Sequence, residues 1–193
     1  MIVEFSFFCL ISGFIFSLYS LILSSYSIRN PQIHFIKSAK LALYIVNLCA
    51  VISSLILVYS FLSNDFSVKY VYKNSAVDMP IVYILTAFWS SLEGSHLLWT
   101  TLLSSMITVS LSTIRYRNIQ LMPGLVFVFS LVSSFMFLLN VWASAPLTRL
   151  FPEGTFGLGM NPLLQNPYMA AHPPSLFAGY SALIVPFGYS VSA

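Results

Sequence analysis

Hydrophobic positions in this 193-residue chain fall in long runs separated by short polar segments. A helix that crosses a bilayer needs about 20 predominantly apolar residues. Five runs qualify: 2–23, 41–62, a stretch within 80–112, 121–143, and 173 to the end. The third region is too long for one crossing and is interrupted by SSLEGSH, which contains Glu93 and Gly94. Glycine weakens a helix, and glutamate avoids the bilayer centre. The region therefore divides into an interfacial helix over 80–91 and a crossing over 95–112. On one straight helix Trp89 and Trp99 would lie about 15 Å apart, so both can sit at one interface only if the chain bends near Gly94. The pattern predicts an all-α fold: a polytopic transmembrane helix bundle of about five spans, with an interfacial helix before span three. Residues 1–193 form a single membrane domain with no internal repeat and no low-complexity linker.

Composition narrows the class further. The chain is 58% hydrophobic and 7% charged, against about a quarter charged residues in soluble domains. A soluble fold with so little charge would expose large apolar patches. The net charge of +3 is not gathered into Lys/Arg runs, so the sequence predicts no nucleic-acid partner. Cys9 and Cys49 both lie in apolar runs, outside any C-x-x-C or C-x-x-C-H pattern. They read as buried small hydrophobes, not as disulfide, zinc or c-type haem signals. The first run carries Glu4, lacks a basic stretch before it and lacks a small-residue cleavage site. It reads as a retained membrane helix and not as a signal peptide.

Charge placement predicts an orientation. SIRNPQIHFIKSAK carries Arg29, Lys37 and Lys40, and TIRYRNIQ carries Arg115 and Arg117. On the other side, Lys69 and Lys73 are matched by Asp65 and Asp78, and the segment 144–171 has only Arg149 and Glu153. The positive-inside rule puts the first two loops in the cytoplasm or matrix, the N-terminus outside and the C-terminus inside. The membrane is then a bacterial inner membrane or a mitochondrial inner membrane. The segment 144–171 is the longest outer loop and holds Pro146, Pro152, Gly154, Gly157, Gly159, Pro162 and Pro167. Long loops of this kind are often functional, and this one leads into His172.

His172 stands before Pro173 and Pro174. If Pro173 is the first helical residue, His172 is the N-cap of span five. If the helix starts at Asn166 with Pro167 first, the two later prolines fall inside it and kink it. Either way the imidazole lies at or just below the outer interface. A helix N-terminus and an apolar setting both disfavour imidazolium, so a histidine there keeps a free nitrogen lone pair. Two roles stand open: a hydrogen bond to a loop carbonyl, or an axial ligand to haem iron. Glu93, at the edge of a span, is either a functional acid or a solvated residue of the helix break. His96, three residues on, can share its helix face and hydrogen-bond to it, or contact haem or quinone. Trp89, Trp99 and Trp142 read as interfacial anchors or as haem-stacking groups. His34 reads as a solvated residue of the inner loop.

Three stretches in order carry a resemblance: NDFSVKYVYKNS, WSSLEGSHLLW and NPLLQNPYMAAHPPSLFAGY. Together they resemble the N-terminal part of the haem-lyase (F) subunit of the cytochrome c maturation system I, a multispan haem-handling family. The resemblance implies haem b held in the bundle, with His172 mapping onto the first transmembrane haem ligand. It implies that Trp89, Glu93, Pro173 and Pro174 belong to the cofactor-binding region. In that family a second haem arrives from a haem chaperone at an outer tryptophan-rich WWD platform, where its vinyl groups form thioethers with apocytochrome c. The implied partners are therefore the haem chaperone, other maturation subunits, the remaining part of the haem lyase, apocytochrome c and membrane lipid. No WWD segment and no second ligand histidine occur in this chain, and Ser90 stands where the family has glycine. The expectation is a component that is not catalytic alone, completed by a separate gene product or by a longer reading frame. Two alternatives remain at this point. One is a haem or small-solute transporter subunit, suggested by broken helices. The other is an electron-transfer haem b subunit with His96 as second ligand.

Overall fold

A computed structural model describes residues 1–30, 32–114 and 121–193. Among these, α1 (Ile2–Arg29) and α2 (Ile33–Leu62) form a long helical hairpin. Two short helices follow, α3 (Lys69–Asn74) and α4 (Ile81–Ala87). Then come α5 (Leu92–Thr113) and α6 (Met122–Leu138), the latter continuing into a π-helical turn, Leu139–Ser144. After a long loop with one 3-10 turn (Pro162–Leu164), α7 (Pro167–Ala182) and α8 (Ile184–Ser192) complete the described chain. α1 packs on α2 and α6, α5 on α2, α7 on α5, and α8 on α6. The result is an all-α membrane helical bundle.

Among the described residues, three helices are long and apolar enough to cross a membrane: Ile2–Arg29, Ile33–Leu62 and Met122–Ser144. α5 has 22 residues but carries Glu93, His96 and several serines and threonines. α7 and α8 share the fifth apolar run, which breaks at Leu183.

Boundaries shift where local chemistry overrides the apolar count. The segment Ile33–Lys40, expected in an inner loop, is the start of α2, and His34 lies in its first turn. Lysine tolerates this because its stem packs along apolar surface while the ammonium reaches outward. Lys37 is exposed in this way, whereas Lys40 is buried with its ammonium 5.7 Å from the Tyr44 ring centre. Arg115 and Arg117, part of the charge pattern that set the orientation, lie outside the described residues. The break in the third region comes earlier than Gly94, at 88–91, so Glu93 and Gly94 belong to the first turn of α5.

Without water to drive apolar association, membrane helices adhere through small residues and interhelical hydrogen bonds. α1 turns Ser6, Gly13, Ser17, Ser20, Ser24 and Ser27 inward at helical spacing. Ser54 meets Thr101 at 2.7 Å, Ser104 and Ser105 donate to Asn47 at 3.0 and 3.1 Å, and the Asn140 amide donates to Thr100 at 2.7 Å. Exposed positions are mostly large and apolar, such as Phe8, Ile22, Leu55 and Leu131, as suits a lipid-facing surface.

One end of the bundle is covered by a cap. The two loops expected on one side do meet there: Lys69 N–H donates to Thr148 at 2.9 Å, and Leu150 N–H to Ser67 at 2.8 Å. Arg149 pairs with Glu4 at the start of α1 and lies 3.8 Å from Asp65. The glycine-rich part of the last loop lies on α3, through Leu158 N–H to Tyr72 and Gly159 N–H to Ser75. At the far end of the bundle, Ser192 of α8 sits against Gly124 near the start of α6.

Candidate functional site

The site is built where α7 leaves the cap. Asn166 caps α7: its side chain accepts from Tyr168 N–H at 2.9 Å, and Pro167 occupies the first helical position. The helix therefore starts before the double proline, and Pro173 and Pro174 lie inside it. His172 is not the N-cap but a residue of the second turn. Its imidazole is exposed and makes no hydrogen bond among the described residues, so no loop carbonyl holds it.

An internal proline lacks the N–H that its helix would use four residues back. Pro173 leaves the Met169 carbonyl without that donor, and Pro174 does the same to Ala170. The Trp89 indole N–H fills the second gap, donating to the Ala170 carbonyl at 3.1 Å. Trp89 thus joins the 88–91 break to α7, a role that neither an interfacial anchor nor a stacking group describes. Tyr83 on α4 supports the same end of α7, donating to the Gln165 carbonyl at 3.3 Å. Two turns deeper, Trp99 stacks on Phe177 with ring centres 5.6 Å apart, and Tyr180 tilts over the same indole at 6.4 Å. Trp142 is exposed and meets Phe14 edge-on at 6.1 Å.

Between α4, the 3-10 turn and α7 lies a cleft of about 210 Å³, walled by Thr86, Trp89, Ser90, Met160, Leu164, Met169 and Pro173. The structure thus brings Trp89 and Pro173 together beside His172. Glu93 and His96 are not among the walls of this cleft. Glu93 accepts from the Ser91 hydroxyl at 3.2 Å, while His96 Nδ1 is hydrogen-bonded to Ser144 on the π-helical turn. The expected Glu93–His96 pair does not form, because the π-helical turn offers the imidazole a nearer hydroxyl. Among the described residues no group of three or more His, Cys, Asp or Glu is placed to hold a metal ion, and Cys9 and Cys49 are buried free thiols.

Several contributors had no signal in the sequence. Tyr70 is buried under the 88–91 break, its hydroxyl 3.2 and 3.1 Å from the carbonyls of Ala87 and Phe88 and accepting from Ser91 N–H at 3.3 Å. Burial pushes its phenol well above the ordinary range, with nearby Glu93 adding to the effect while hydrogen bonds from Ser90 and Ser91 oppose it. Gly94 matters for space: a Cβ there would lie 1.8 Å from the Phe88 carbonyl oxygen and 2.6 Å from the Tyr70 hydroxyl. Met160 reaches the cleft through the path of the last loop, and Met169 from the first turn of α7.

No protein-family model matches the chain. Individual relatives do. The cytochrome c-type biogenesis protein ccl1 of Rhodobacter capsulatus is 35% identical over 137 residues, covering 71% of this chain and 21% of that protein. CcmF of Escherichia coli is 30% identical over 179 residues, 90% of this chain and 28% of that protein. The chain is similar to cytochrome c-type biogenesis proteins of the CcmF type. It corresponds to an N-terminal portion of a CcmF-type protein and spans less than a third of the length of these relatives. A solved cytochrome c heme lyase CcmF superposes on the whole chain with a TM-score of 0.87 at 24% identity, over 30% of its own length. The CcmF fold is therefore the frame on which α4, the 88–91 break and α7 present His172.

Proposed function

We propose that this chain is a component of cytochrome c maturation that binds haem b through His172 and helps haem attachment to apocytochrome c on the outer face of the membrane. The observation that carries this reading is the His172 imidazole itself: exposed, without a hydrogen-bond partner among the described residues, and borne on a helix that the Trp89–Ala170 bond ties to the 88–91 break. The residues present suit a haem. An axial ligand must offer a free imidazole nitrogen, and His172 does so. Two turns along α7 on the same face is Gly179, where an added Cβ would meet nothing within 4 Å, so that face is open to a flat group. Tyr168, Leu176 and Leu183 extend the face as exposed apolar or aromatic surface.

The imidazole lies in the second turn of α7, level with the cap. That supports a haem against the outer margin of α7, and not among α1, α2, α5 and α6, whose shared interior is filled by side chains such as Leu57, Leu97, Phe129 and Phe137. The second axial ligand comes from the part of a CcmF-type protein that this chain does not span. Haem supply by a chaperone, contact with other maturation subunits and delivery to apocytochrome c follow from the same reading. So do five membrane crossings, with α5 and α7–α8 joining the three apolar helices. The N-terminus lies outside, in a bacterial or mitochondrial inner membrane.

The test is an optical spectrum of the assembled complex with and without His172→Ala. Loss or displacement of the b-type bands is expected. An unchanged spectrum would sink the ligand assignment.

A further inference from the structure

We propose that the cleft beside His172 takes the apolar, vinyl- and methyl-bearing edge of the porphyrin, so that Trp89, Met160, Leu164, Met169 and Pro173 fix how the haem is turned about its iron. This rests on the reading of His172 as a haem ligand.

The polar inventory of the cleft comes first. Its three polar side chains are already engaged: Thr86 donates to the Tyr83 carbonyl at 3.1 Å, Ser90 to the Ala87 carbonyl at 2.9 Å, and Trp89 to the Ala170 carbonyl at 3.1 Å. No lysine or arginine is among its walls, so nothing there recognises a propionate. The rest of the lining is methionine, leucine, proline and indole. Such a lining suits an apolar guest, and the polarizable thioethers of Met160 and Met169 make favourable contacts with aromatic systems.

Met169 and Pro173 lie about 60° and 100° around α7 from His172, given 3.6 residues per turn. The cleft therefore flanks the face from which the imidazole projects. A porphyrin held by that imidazole extends sideways across the helix, and its edge on this side meets Met169 and Pro173.

Size is the third constraint. Pockets that enclose a whole small molecule usually measure about 300–1,000 Å³. At about 210 Å³ this cleft holds part of a ligand and not the macrocycle.

The test uses the assembled complex, freed of haem and titrated with haem, mesohaem and deuterohaem. These carry vinyl groups, ethyl groups and hydrogens, respectively, at the same two porphyrin positions. A hydrophobic pocket distinguishes groups of this size by about 10- to 200-fold. Haem and mesohaem are expected to bind alike, with deuterohaem at least about tenfold weaker. Met169→Trp and, independently, Leu164→Trp fill the cleft and are expected to lower haem affinity to the deuterohaem level.

Equal affinity of the unmodified complex for all three porphyrins overturns the proposal without any variant having to fold, and leaves the His172 assignment standing. Discrimination that persists in both filled variants also overturns it, because the vinyl groups are then read outside the cleft. Unchanged b-type bands in His172→Ala would instead fell the reading beneath it.

Discussion

The Trp89 indole N–H and the Ala170 carbonyl, 3.1 Å apart, join two stretches of sequence that look unrelated on the page. Pro174 creates the need, by withholding the N–H that would otherwise serve Ala170, and Trp89 meets it. The bond is only partly buried, and losing a typical hydrogen bond costs about 0.5–1.5 kcal/mol. Trp89→Phe should therefore lower the stability of the complex by about that amount. In a Pro174→Ala background the helix regains its own donor, and the same Trp89→Phe change should cost about 1 kcal/mol less. A double-mutant cycle on thermal unfolding in detergent reads this coupling. Strict additivity would mean that Trp89 acts through bulk alone.

Gly94 sits where helix propensity and packing oppose each other. Alanine in the first turn of α5 would gain up to about 1 kcal/mol of propensity. Its Cβ would also lie 1.8 Å from the Phe88 carbonyl oxygen, which is backbone and has little room to yield. Overpacking of this kind costs about 1–3 kcal/mol or more, so the net effect of Gly94→Ala is destabilising. The unfolding midpoint should fall, and proteolysis should reach the 88–91 segment sooner than in the unmodified chain. A rise in midpoint would show that α5 can slide away from α4.

The bundle was legible because lipid imposes length and apolarity on every crossing. Runs one, two and four of the sequence became α1, α2 and α6, with boundaries displaced where lysine could snorkel, as at the exposed Lys37. The site was legible only in part. Asn166, Pro167 and the double proline offered two possible starts for α7, and the one at Asn166, with Pro173 and Pro174 inside the helix, is the one observed. Nothing in the chain said that the missing donor was Trp89, because that bond depends on how the 88–91 break folds back. His96 shows the same limit. Its spacing from Glu93 satisfied the local rule, yet a hydroxyl 48 positions away won the imidazole. Met160 reached the cleft through the folding of an irregular loop, which periodicity does not describe.

Tyr70 predicts an alkaline limit for the cap. Burial raises its folded-state pKa above the ordinary phenol value of about 10. Above that value the unfolded chain loses the proton while the folded chain keeps it, so the folded state binds more protons and stability falls as pH rises. Below about pH 10 the contribution is fully present. Unfolding midpoints followed from pH 8 to about pH 11 should therefore decline at the upper end. The decline should be shallower in Tyr70→Phe, although that variant starts from a lower midpoint. Parallel curves for the two proteins would show that Tyr70 is not the titrating group.

The α1 face makes the last prediction, because small size and hydrogen bonding compete to explain its serines. Ser20 is fully buried, donates to the Ala39 carbonyl at 2.9 Å, and lies 2.6 Å from the Ser130 hydroxyl. Ser130 also donates to the Val126 carbonyl at 2.7 Å, so the two hydroxyl protons are shared among three contacts. Interhelical hydrogen bonds in membranes average about 0.6 kcal/mol, because the separated helices also find partners. Ser20→Ala removes the bond but keeps the close approach, and should cost about that much. Ser20→Val adds bulk at a contact with no free space and should cost about 1–3 kcal/mol. If size governs, valine is the worse substitution; if the hydroxyl governs, alanine and valine are equally harmful. Unfolding midpoints of the two variants, measured side by side in the same detergent, decide between them.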